Sequence, residues 1–535
     1  ISGSTDGSYP RNASWNITVS LTDDGTDVLA SDKTDAQTTA KNTVIRGKAA
    51  IGKSAADGLL NEGDSSIAGI RFAIVNRSAN DVKVGSAVYA PGKIVKVITT
   101  DANGKCATAD KELPYGTYDI YELRADEWTR FVAGAAFNDL ARGTSIYANN
   151  TGYLFPEEAA AAQKTGIQIR ADGQVITSKF TDAIARGNIE GIKLDEETPD
   201  GRATEGLSLK GAEITLINAS ANKVLKDGAE IATAKSALTG TVDYAEVAAA
   251  IESAPEAVYE VMVTDDNGFY SVKDVPYGTY YMIETKAPEG YVINEEWVKK
   301  VEIREEGKTC SFKNHTKTAA DSALQNTPIR NDFEFIKVSI DGSFDDNPLS
   351  FVPFLLTRYG VDGRVAEQHV FVTDKNGSYR SLDHDKTAAD VNSLDAFNVD
   401  GRYIKNGALS DGDEADSKVG IWFGSQTARS NDRGALVYGT YDIQELTTIR
   451  NSGNEENIEV SHVPFEIREE SDAPVAVGVA VDVPVKIKTD ALDTTTGTKM
   501  TLAGSEVPVQ DTITCHNLDS RDKYKWIIRF VDSEN

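Results

Sequence analysis

A tyrosine-rich motif occurs three times in this chain and divides it into repeats. The copies are "YGTYDIYELRAD" (115–126), "YGTYYMIETKAP" (277–288) and "YGTYDIQELTTI" (438–449). An Asn-Gly dipeptide precedes each copy, in "TDANG" (100–104), "TDDNG" (264–268) and "TDKNG" (373–377). Because Asn-Gly between β-rich runs favours the tight turn of a hairpin, we predict such a turn at all three places. Repeats this evenly spaced predict a row of modules rather than one large domain.

A second repeated segment predicts where the modules join. Its copies are "NTVIRGKAAIGK" (42–53), "DAIARGNIEGIK" (182–193) and "NTPIRNDFEFIK" (326–337). Each begins with Asn or Asp, has an Arg four residues on and ends with a Lys eleven residues on. The spacing predicts complete modules at 43–182, 183–326 and 327–482, the last with an insertion at about 380–435. We expect 1–42 to be the end of a preceding β module and 483–535 to be the start of a different one.

The residues between these motifs favour an all-β fold. Short runs of alternating apolar and polar residues are separated by turn signals, which is typical of tandem Ig-like β-sandwich modules in an elongated array. Helical signals are sparse. Composition and capping predict short helices in inserted loops at 155–164 and 243–254.

Charge and cysteine content exclude several classes of function. The net charge of −28 argues against a nucleic-acid surface or a polybasic membrane contact, and no apolar run is long enough to span a bilayer. Cys106, Cys310 and Cys515 are too far apart for a zinc ribbon or a disulfide framework. The five histidines are scattered. We therefore expect no metal, no cofactor and no turnover enzyme.

One carboxylate in the second tyrosine-rich motif is in an unexpected place. Side chains alternate between the two faces of a strand, so Glu284 shares a face with Tyr280 and Met282. The glutamates and joint lysines of all three repeats follow this pattern. A buried ion pair is the simpler interpretation, although it tends to cost stability relative to apolar packing. The alternative is covalent chemistry, in which a desolvated Lys attacks an Asn or Asp while a Glu transfers the proton.

The same residues resemble a known family. "YYMIETKAPEGY" resembles the E-box of Cna B-type (SpaA-like) domains of Gram-positive pilins and adhesins, and "NTPIRNDFEFIK" resembles the junction between two such domains. The family implies a prealbumin-like β-sandwich with an autocatalytic intramolecular isopeptide bond. Carried over, the resemblance implies Lys53 with Asp182 under Glu122, Lys193 with Asn326 under Glu284, and Lys337 with Asp482 under Glu445. Asn314, which ends the strand-like "FKN", is an alternative partner for Lys193.

The last part of the chain resembles a second kind of module. "KIKTDALDTTTGTK" (486–499) is similar to the beginning of the ester-bond (VaFE-type) stalk domains of related surface proteins. That resemblance implies a crosslink from Thr489 to a Gln, and we expect this Gln to lie beyond Asn535.

These observations predict a structural stalk segment of a Gram-positive adhesin or pilus-like protein. We expect it at the extracellular bacterial surface, with covalent cell-wall attachment outside this segment. The alternative is an adhesin that binds a host glycan or protein through the loops at 125–165 and 380–435. In the second loop, Tyr403, Trp422 and Phe423 could stack on sugars if they are exposed.

Overall fold

The computed structural model describes residues 18–21, 27–30, 43–158, 160–339, 353–373, 377–381, 421–423, 433–445, 462–482, 486–499 and 506–516. For a few strand residues among them it describes the backbone alone, and these include Trp422, Phe423 and Asp482. Tyr403 and most of the predicted insertion at 380–435 lie outside the described residues.

Strands form most of the regular structure, so the predicted all-β class is confirmed. The first described elements are the antiparallel pair β1 (Thr18–Leu21) and β2 (Asp27–Ala30). Three groups of sheets follow, which we call the first, second and third sandwich. The predicted boundaries at 43–182, 183–326 and 327–482 stay predictions.

The first sandwich has two four-stranded sheets that share one apolar core. Its strands are β3 (Arg46–Ala55), β4 (Arg71–Asn76), β5 (Val82–Val84), β6 (Ala87–Tyr89), β7 (Ile94–Thr99), β8 (Lys105–Ala107), β9 (Leu113–Pro114), β10 (Gly116–Glu122), β11 (Gln163–Ile169) and β12 (Val175–Asp182). One sheet has the order β11-β10-β4-β7, and the other has β12-β3-β8 with β9 also on β3. Ile51 of β3 and Phe72 of β4 belong to the core cluster that joins them.

The second sandwich repeats this arrangement. Its strands are β13 (Arg186–Asp195), β14 (Glu213–Asn218), β15 (Val224–Lys226), β16 (Ala229–Ile231), β17 (Val258–Val263), β18 (Phe269–Pro276), β19 (Gly278–Lys286), β20 (Val298–Ile303), β21 (Thr309–Phe312) and β22 (Leu324–Asn326). One sheet is β17-β14-β19-β20, and the other is β18-β13-β21 with β22 also on β13. Ile189, Tyr280 and Met282 lie in the core between them.

The third sandwich follows the same plan. Its strands are β23 (Arg330–Asn331), β24 (Phe333–Ser339), β25 (Pro353–Tyr359), β26 (Val365–Val372), β27 (Ser378–Arg380), β28 (Ile421–Phe423), β29 (Leu436–Val437), β30 (Gly439–Glu445), β31 (His462–Ile467) and β32 (Val475–Asp482). The sheets are β27-β24-β32 and β28-β26-β25-β30-β31. Beyond them, β33 (Lys486–Asp493) pairs with β34 (Val509–His516).

The predicted helix at 243–254 is confirmed as α1 (Tyr244–Ser253). A capping box begins it, because Asp243 accepts a hydrogen bond from the Glu246 N–H while the Glu246 side chain accepts one from the Asp243 N–H. Val247 packs in a cluster with Ile283 of β19. Three short 3₁₀ helices also occur: Ala125–Glu127, Asp139–Ala141 and Pro255–Ala257.

The helix predicted at 155–164 is wrong. The described residues of this stretch form bends and turns, and β11 begins at Gln163. Gln163 is opposite Tyr121 on β10, and the Ala162 carbonyl accepts the Glu122 N–H at 2.8 Å. Pairing with a neighbouring strand thus overrides the helix preference of the alanine run.

Turns form at 101–104 and 265–268 as predicted, but they do not close hairpins, so the hairpin part of that prediction is wrong. Strands β7 and β8, which flank the first turn, belong to different sheets, and the same holds for β17 and β18 and for β26 and β27. In the first turn Asp101 accepts hydrogen bonds from the N–H groups of Asn103 and Lys105, and within this turn only Gly104 has a positive φ. The turns therefore carry the chain from one sheet across to the other.

An arginine and a glutamate form an ion pair between neighbouring sandwiches at both joints. Arg186 of the second sandwich lies 3.3 Å from Glu62 of the loop after β3, and Arg330 of the third lies 2.7 Å from Glu197 of the loop after β13. Both arginines come from the repeated joint segment. Glu62 is fully buried and also accepts the Leu225 N–H at 2.6 Å.

Burial and a hydrogen bond with Asp57 raise the pKa of Glu62 from 4.5 to about 7, against the opposing effect of Arg186. Because the folded protein holds this proton more tightly than the unfolded chain, the stabilisation is complete below pH 4.5 and is lost as pH rises through about 7. Glu62→Gln should remove this dependence, which is worth about 3 kcal/mol. The measurement is the thermal midpoint across a pH series, with the exposed Glu230→Gln as the control. Equal pH slopes in the two variants would contradict the assignment.

No helix among the described residues combines the length and the apolar character needed to cross a bilayer. In the same residues, no group of three or more His, Cys, Asp and Glu side chains is arranged to hold a metal ion.

Candidate functional site

Each sandwich buries one lysine side chain from its first long strand. The three are Lys53 on β3, Lys193 on β13 and Lys337 on β24, and their side chains have 0% relative exposure. In β3 every second residue is buried, so the strand's own alternation carries Lys53 inward. The structure thus places all three predicted lysines in apolar cores.

The first long strand of each sandwich pairs in parallel with a strand that carries the predicted partner. The register is the same each time, since the partner lies opposite the residue two beyond the lysine. The opposed residues are Ala55 and Asp182, Asp195 and Asn326, and Ser339 and Asp482. Residues two apart on a strand share a face, and Asp182 and Asn326 are indeed buried in the cores that hold Lys53 and Lys193.

The facing sheet supplies the glutamate. Glu122 ends β10, Glu445 ends β30 and Glu284 lies near the end of β19. The Lys Nζ to Glu carboxylate distances are 2.6 Å for Lys53–Glu122, 2.6 Å for Lys193–Glu284 and 2.8 Å for Lys337–Glu445. The structure therefore brings all three predicted glutamates to their lysines across the core.

The first cluster combines one cation with two carboxyl groups. Lys53 Nζ contacts Asp182 Oδ1 as well as Glu122. Burial raises the pKa of Glu122 well above its ordinary value, and burial also raises the pKa of Asp182 against the effect of Lys53. The rings of Phe72 and Phe180 lie 5.9 Å from Nζ. In this apolar setting one carboxyl group retains a proton, because two buried carboxylates beside one ammonium are strongly disfavoured.

The second cluster has an amide in place of the second carboxyl group. Burial lowers the pKa of Lys193 to about 8, although Glu284 opposes the shift. Asn326 Nδ2 donates to Glu284 Oε1 at 3.0 Å and to Oε2 at 2.7 Å. Asn326 Oδ1 is buried and has no hydrogen-bond partner among the described residues. A half-turn of the amide would exchange the two atoms and bring Oδ1 to a protonated Glu284.

Only one of the two alternative asparagines reaches this cluster. Asn326 is buried against Glu284. Asn314 is exposed, and its side chain hydrogen-bonds Asp321 and the Thr316 N–H. Between β21 and β22 the chain leaves the sheet and returns to it, and it is the returning strand that carries the inward-facing asparagine.

The third cluster is described in part. Lys337 and Glu445 form a buried pair, and β32 runs parallel to β24 in the register given above. The side chain of Asp482 lies outside the described residues, so its contact with Lys337 stays a prediction.

Sequence reasoning missed the residues that hold the lysine backbone. The Lys53 N–H donates to the Gly104 carbonyl at 2.7 Å, and Gly268 and Gly377 accept from Lys193 and Lys337 at 2.7 and 2.8 Å. At Gly104 a Cβ would lie 2.4 Å from the Lys53 carbonyl oxygen, and its φ is +70°. Each glycine belongs to an Asn-Gly turn. Each module contains one Asn-Gly turn and one of these lysines, and this recurrence was the available signal. The sequence did not show that the turn and the lysine are in contact.

The clusters have the components for amide formation. In the first and second clusters a lysine nitrogen, a carboxyl or carboxamide carbon and a glutamate carboxyl group lie together in a buried core, and a carboxyl group is able to transfer protons. The second cluster additionally offers a lysine whose pKa is close to neutral. Nothing in this arrangement requires a metal or a cofactor.

Comparisons with known proteins agree with the fold. The SpaA prealbumin-like fold family matches residues 187–316. The sequence matches none of the curated proteins with which it was compared. The likeness of residues 486–499 to ester-bond domains stays a prediction. Thr489 lies exposed on β33, opposite Ile513.

Several solved structures are distantly similar. The Bacillus anthracis TIE protein is 17% identical over 83% of this chain and 51% of its own, with a TM-score of 0.42. The major pilin subunit of Bacillus cereus is 13% identical over 82% and 98% of the two chains, with a TM-score of 0.25. The minor pilin of Streptococcus agalactiae is 13% identical over 53% and 96%, with a TM-score of 0.19. The chain thus spans about half the length of the first of these proteins.

The matched segment includes most of the second sandwich, with Lys193, Glu284 and the whole of the sheet that carries the glutamate. Its two sheets and its shared core are those of a prealbumin-like β-sandwich. Residues 187–316 are therefore similar to the SpaA prealbumin-like fold domain.

Proposed function

We propose that this chain is a structural stalk segment of a Gram-positive cell-surface adhesin or pilus-like protein, reinforced by three intramolecular isopeptide bonds. The observation that carries the proposal is the recurrence of one buried Lys–Glu pair in three cores, with an Asn or Asp at the same parallel register each time. An ion pair repeated in three cores would cost stability without further purpose. A covalent bond gives that arrangement a function.

In the second sandwich the bond forms between Lys193 Nζ and Asn326 Cγ. Lys193 first passes a proton to Glu284, and the neutral amine then attacks the carboxamide carbon while protonated Glu284 hydrogen-bonds the carboxamide oxygen. Glu284 takes the proton that the attacking nitrogen loses and delivers one to the leaving nitrogen, so that one amide forms and one ammonia departs. The lowered pKa of Lys193 supports this step, because it reduces the cost of the neutral amine.

In the first and third sandwiches the acceptor is a carboxyl group and water departs instead. Lys53 attacks Asp182, and Lys337 attacks Asp482. The raised pKa values of Glu122 and Asp182 support the first of these reactions, since a neutral carboxyl group accepts an amine far better than a carboxylate does. Each lysine and each glutamate acts once, on its own chain. The protein is therefore not a turnover enzyme.

The crosslinks explain how a surface stalk is reinforced without disulfides. The three cysteines are unpaired. Each bond ties the first long strand of a sandwich to a strand close to its end, and such a tie both prevents unzipping under tension and restricts the unfolded chain. The surface location and cell-wall attachment are part of the proposal and rest on the fold.

Ligand binding by the inserted loops is less well supported. In the first loop Phe131 and Phe137 are buried, and Phe137 stacks on Tyr121 at 4.1 Å, so these rings stabilise the sandwich rather than face a ligand. The residues of the second loop that suggested sugar stacking have no described side chains.

Intact mass of the denatured, reduced protein tests the crosslinks. We expect a deficit of two water molecules and one ammonia, for two Lys–Asp bonds and one Lys–Asn bond, and tandem mass spectrometry should recover the three branched peptides. An unmodified mass would reduce the clusters to ion pairs and remove the mechanism of the stalk.

A further inference from the structure

The loop after β19 contacts the second cluster from outside the sheets. Its residue Asn294 donates its main-chain N–H to Glu284 Oε2 at 2.9 Å. The Asn294 side chain donates to the Gln325 carbonyl at 2.7 Å, one residue before Asn326. One residue thus holds both the acid and the strand that carries the acceptor.

The same residue is itself held firmly. Asn294 Oδ1 accepts the N–H groups of Glu296 and Trp297 at 2.9 and 3.1 Å. The indole N–H of Trp297, which is buried, donates to the Ser322 carbonyl just before β22. The loop therefore has a defined position relative to both Glu284 and Asn326.

The first sandwich has the same loop but a different residue at this place. "GYLFPEE" (152–158) aligns with "GYVINEE" (290–296), which puts Pro156 opposite Asn294. The backbone confirms the alignment, since Tyr153 and Tyr291 bridge to Ile184 and Pro328, the equivalent positions of two joint segments. Proline has no N–H to donate.

The two glutamates therefore differ in the hydrogen bonds that they accept. Glu284 has donors on both oxygens, Lys193 and Asn326 on Oε1 and Asn294 and Asn326 on Oε2. Glu122 has Lys53 on Oε2, and no N–H donor among the described residues reaches its Oε1. An N–H that donates to a carboxylate stabilises its charged form, so its absence favours the protonated acid.

We propose that Asn294 is the positioning residue of the second crosslink, orienting Glu284 through its main-chain N–H and Asn326 through its side chain, and that Pro156 withholds this donor in the first. This difference in hydrogen bonding matches the different starting states that an amide acceptor and a carboxyl acceptor require. The Asn326 reaction begins from a Lys–Glu ion pair, whereas the Asp182 reaction needs a protonated carboxyl group beside the lysine. This inference rests on the proposed function.

The test follows crosslinking of the full chain after cell-free synthesis, quenched at intervals across a pH series, with tandem mass spectrometry of each branched peptide. Asn294→Ala keeps the N–H and loses the side chain. It should slow the Lys193–Asn326 bond about tenfold without moving its pH profile, because only the position of β22 is loosened. The exposed Asn314→Ala is the matched control and should match the wild type.

Removing or adding the N–H should move the pH profile. In Asn294→Pro the acidic limb of the rate–pH profile of the second crosslink should move up by about one pH unit. In Pro156→Ala the acidic limb of the profile of the first crosslink should move down by a similar amount. The other titratable groups near the two acids are unchanged in these variants: Lys193, Tyr270 and Tyr244 for Glu284, and Lys53, Asp182 and Cys106 for Glu122.

The outcomes separate the two proposals. Absence of both crosslinks from the wild-type chain would overturn the proposed function itself. If Asn294→Ala forms the second crosslink at the wild-type rate, and if the pH profiles of Asn294→Pro and Pro156→Ala do not move, only the role of Asn294 is overturned. If Asn294→Pro fails to fold, Pro156→Ala decides the question, since replacing proline by alanine in a surface loop leaves the core intact.

Discussion

Replacing Glu284 by glutamine is expected to leave Lys193 and Asn326 unjoined. Glutamine keeps the shape of the side chain but cannot deliver a proton, so the amine and the carboxamide remain separate. The bond closes a loop of well over one hundred residues. On the chain-entropy estimate, its loss lowers the free energy of unfolding by about 5 kcal/mol. The burial of Lys193 without its carboxylate changes stability in the same direction.

Two measurements check this result. The mass of the variant should exceed that of the wild type by one ammonia, after allowance for the substitution, and the thermal midpoint of the second sandwich should fall by about 10–20 °C. Glu296→Gln changes an exposed glutamate of the same sandwich and is the control. If the Glu284 variant still releases ammonia, another group transfers the proton and the assigned mechanism is wrong.

The second large effect concerns Asp182, where two substitutions should have opposite results. Asp182→Ala removes the acceptor carbon, so we expect that no water is released in the first sandwich and that its free energy of unfolding falls by about 5 kcal/mol. Asp182→Asn supplies a carboxamide, as Asn326 does in the second sandwich. Attack by Lys53 would then release ammonia and produce the same Lys–Asx amide.

The mature mass of Asp182→Asn should therefore equal that of the wild type, and its thermal midpoint should be close to the wild-type value. The equality is diagnostic because unreacted chains differ by the mass change from a carboxyl group to a carboxamide. A variant that is lighter than the wild type by this difference would exclude the crosslink in the first sandwich, because neither chain would then have reacted. A variant that is heavier by one ammonia would show that a carboxamide does not replace the acceptor carboxyl group there. Intact mass and calorimetry on the two variants and the wild type complete the comparison.

Much of the site followed from the two-residue period of a strand. The period puts Glu284 on the face of Tyr280 and Met282, and all three side chains are buried. The same reasoning applies to Lys53 and to Lys337. The capping residues of α1 were also local signals, and that helix forms where composition predicted it.

Other features depended on contacts between distant parts of the chain. The alanine-rich stretch at 155–164 has a local preference for helix, yet pairing of β11 with β10 decides its conformation. The choice of Asn326 over Asn314 depends on which of two successive segments returns to β13 facing the core. In the sequence the spacing of the joint segment favoured Asn326 and the strand-like "FKN" favoured Asn314, so both stayed open.

The sequence by itself determined the strand class, the repeated units and the polar residues that turn inward, because alternation along a strand is a local property. Tertiary structure alone decided that the Asn-Gly turns cross between sheets, that their glycines hold the lysine backbone and that Asn294 holds Glu284. These contacts join segments that are separated along the chain and meet only when two sheets enclose a common core. Their geometry follows from packing, which no single stretch of sequence encodes.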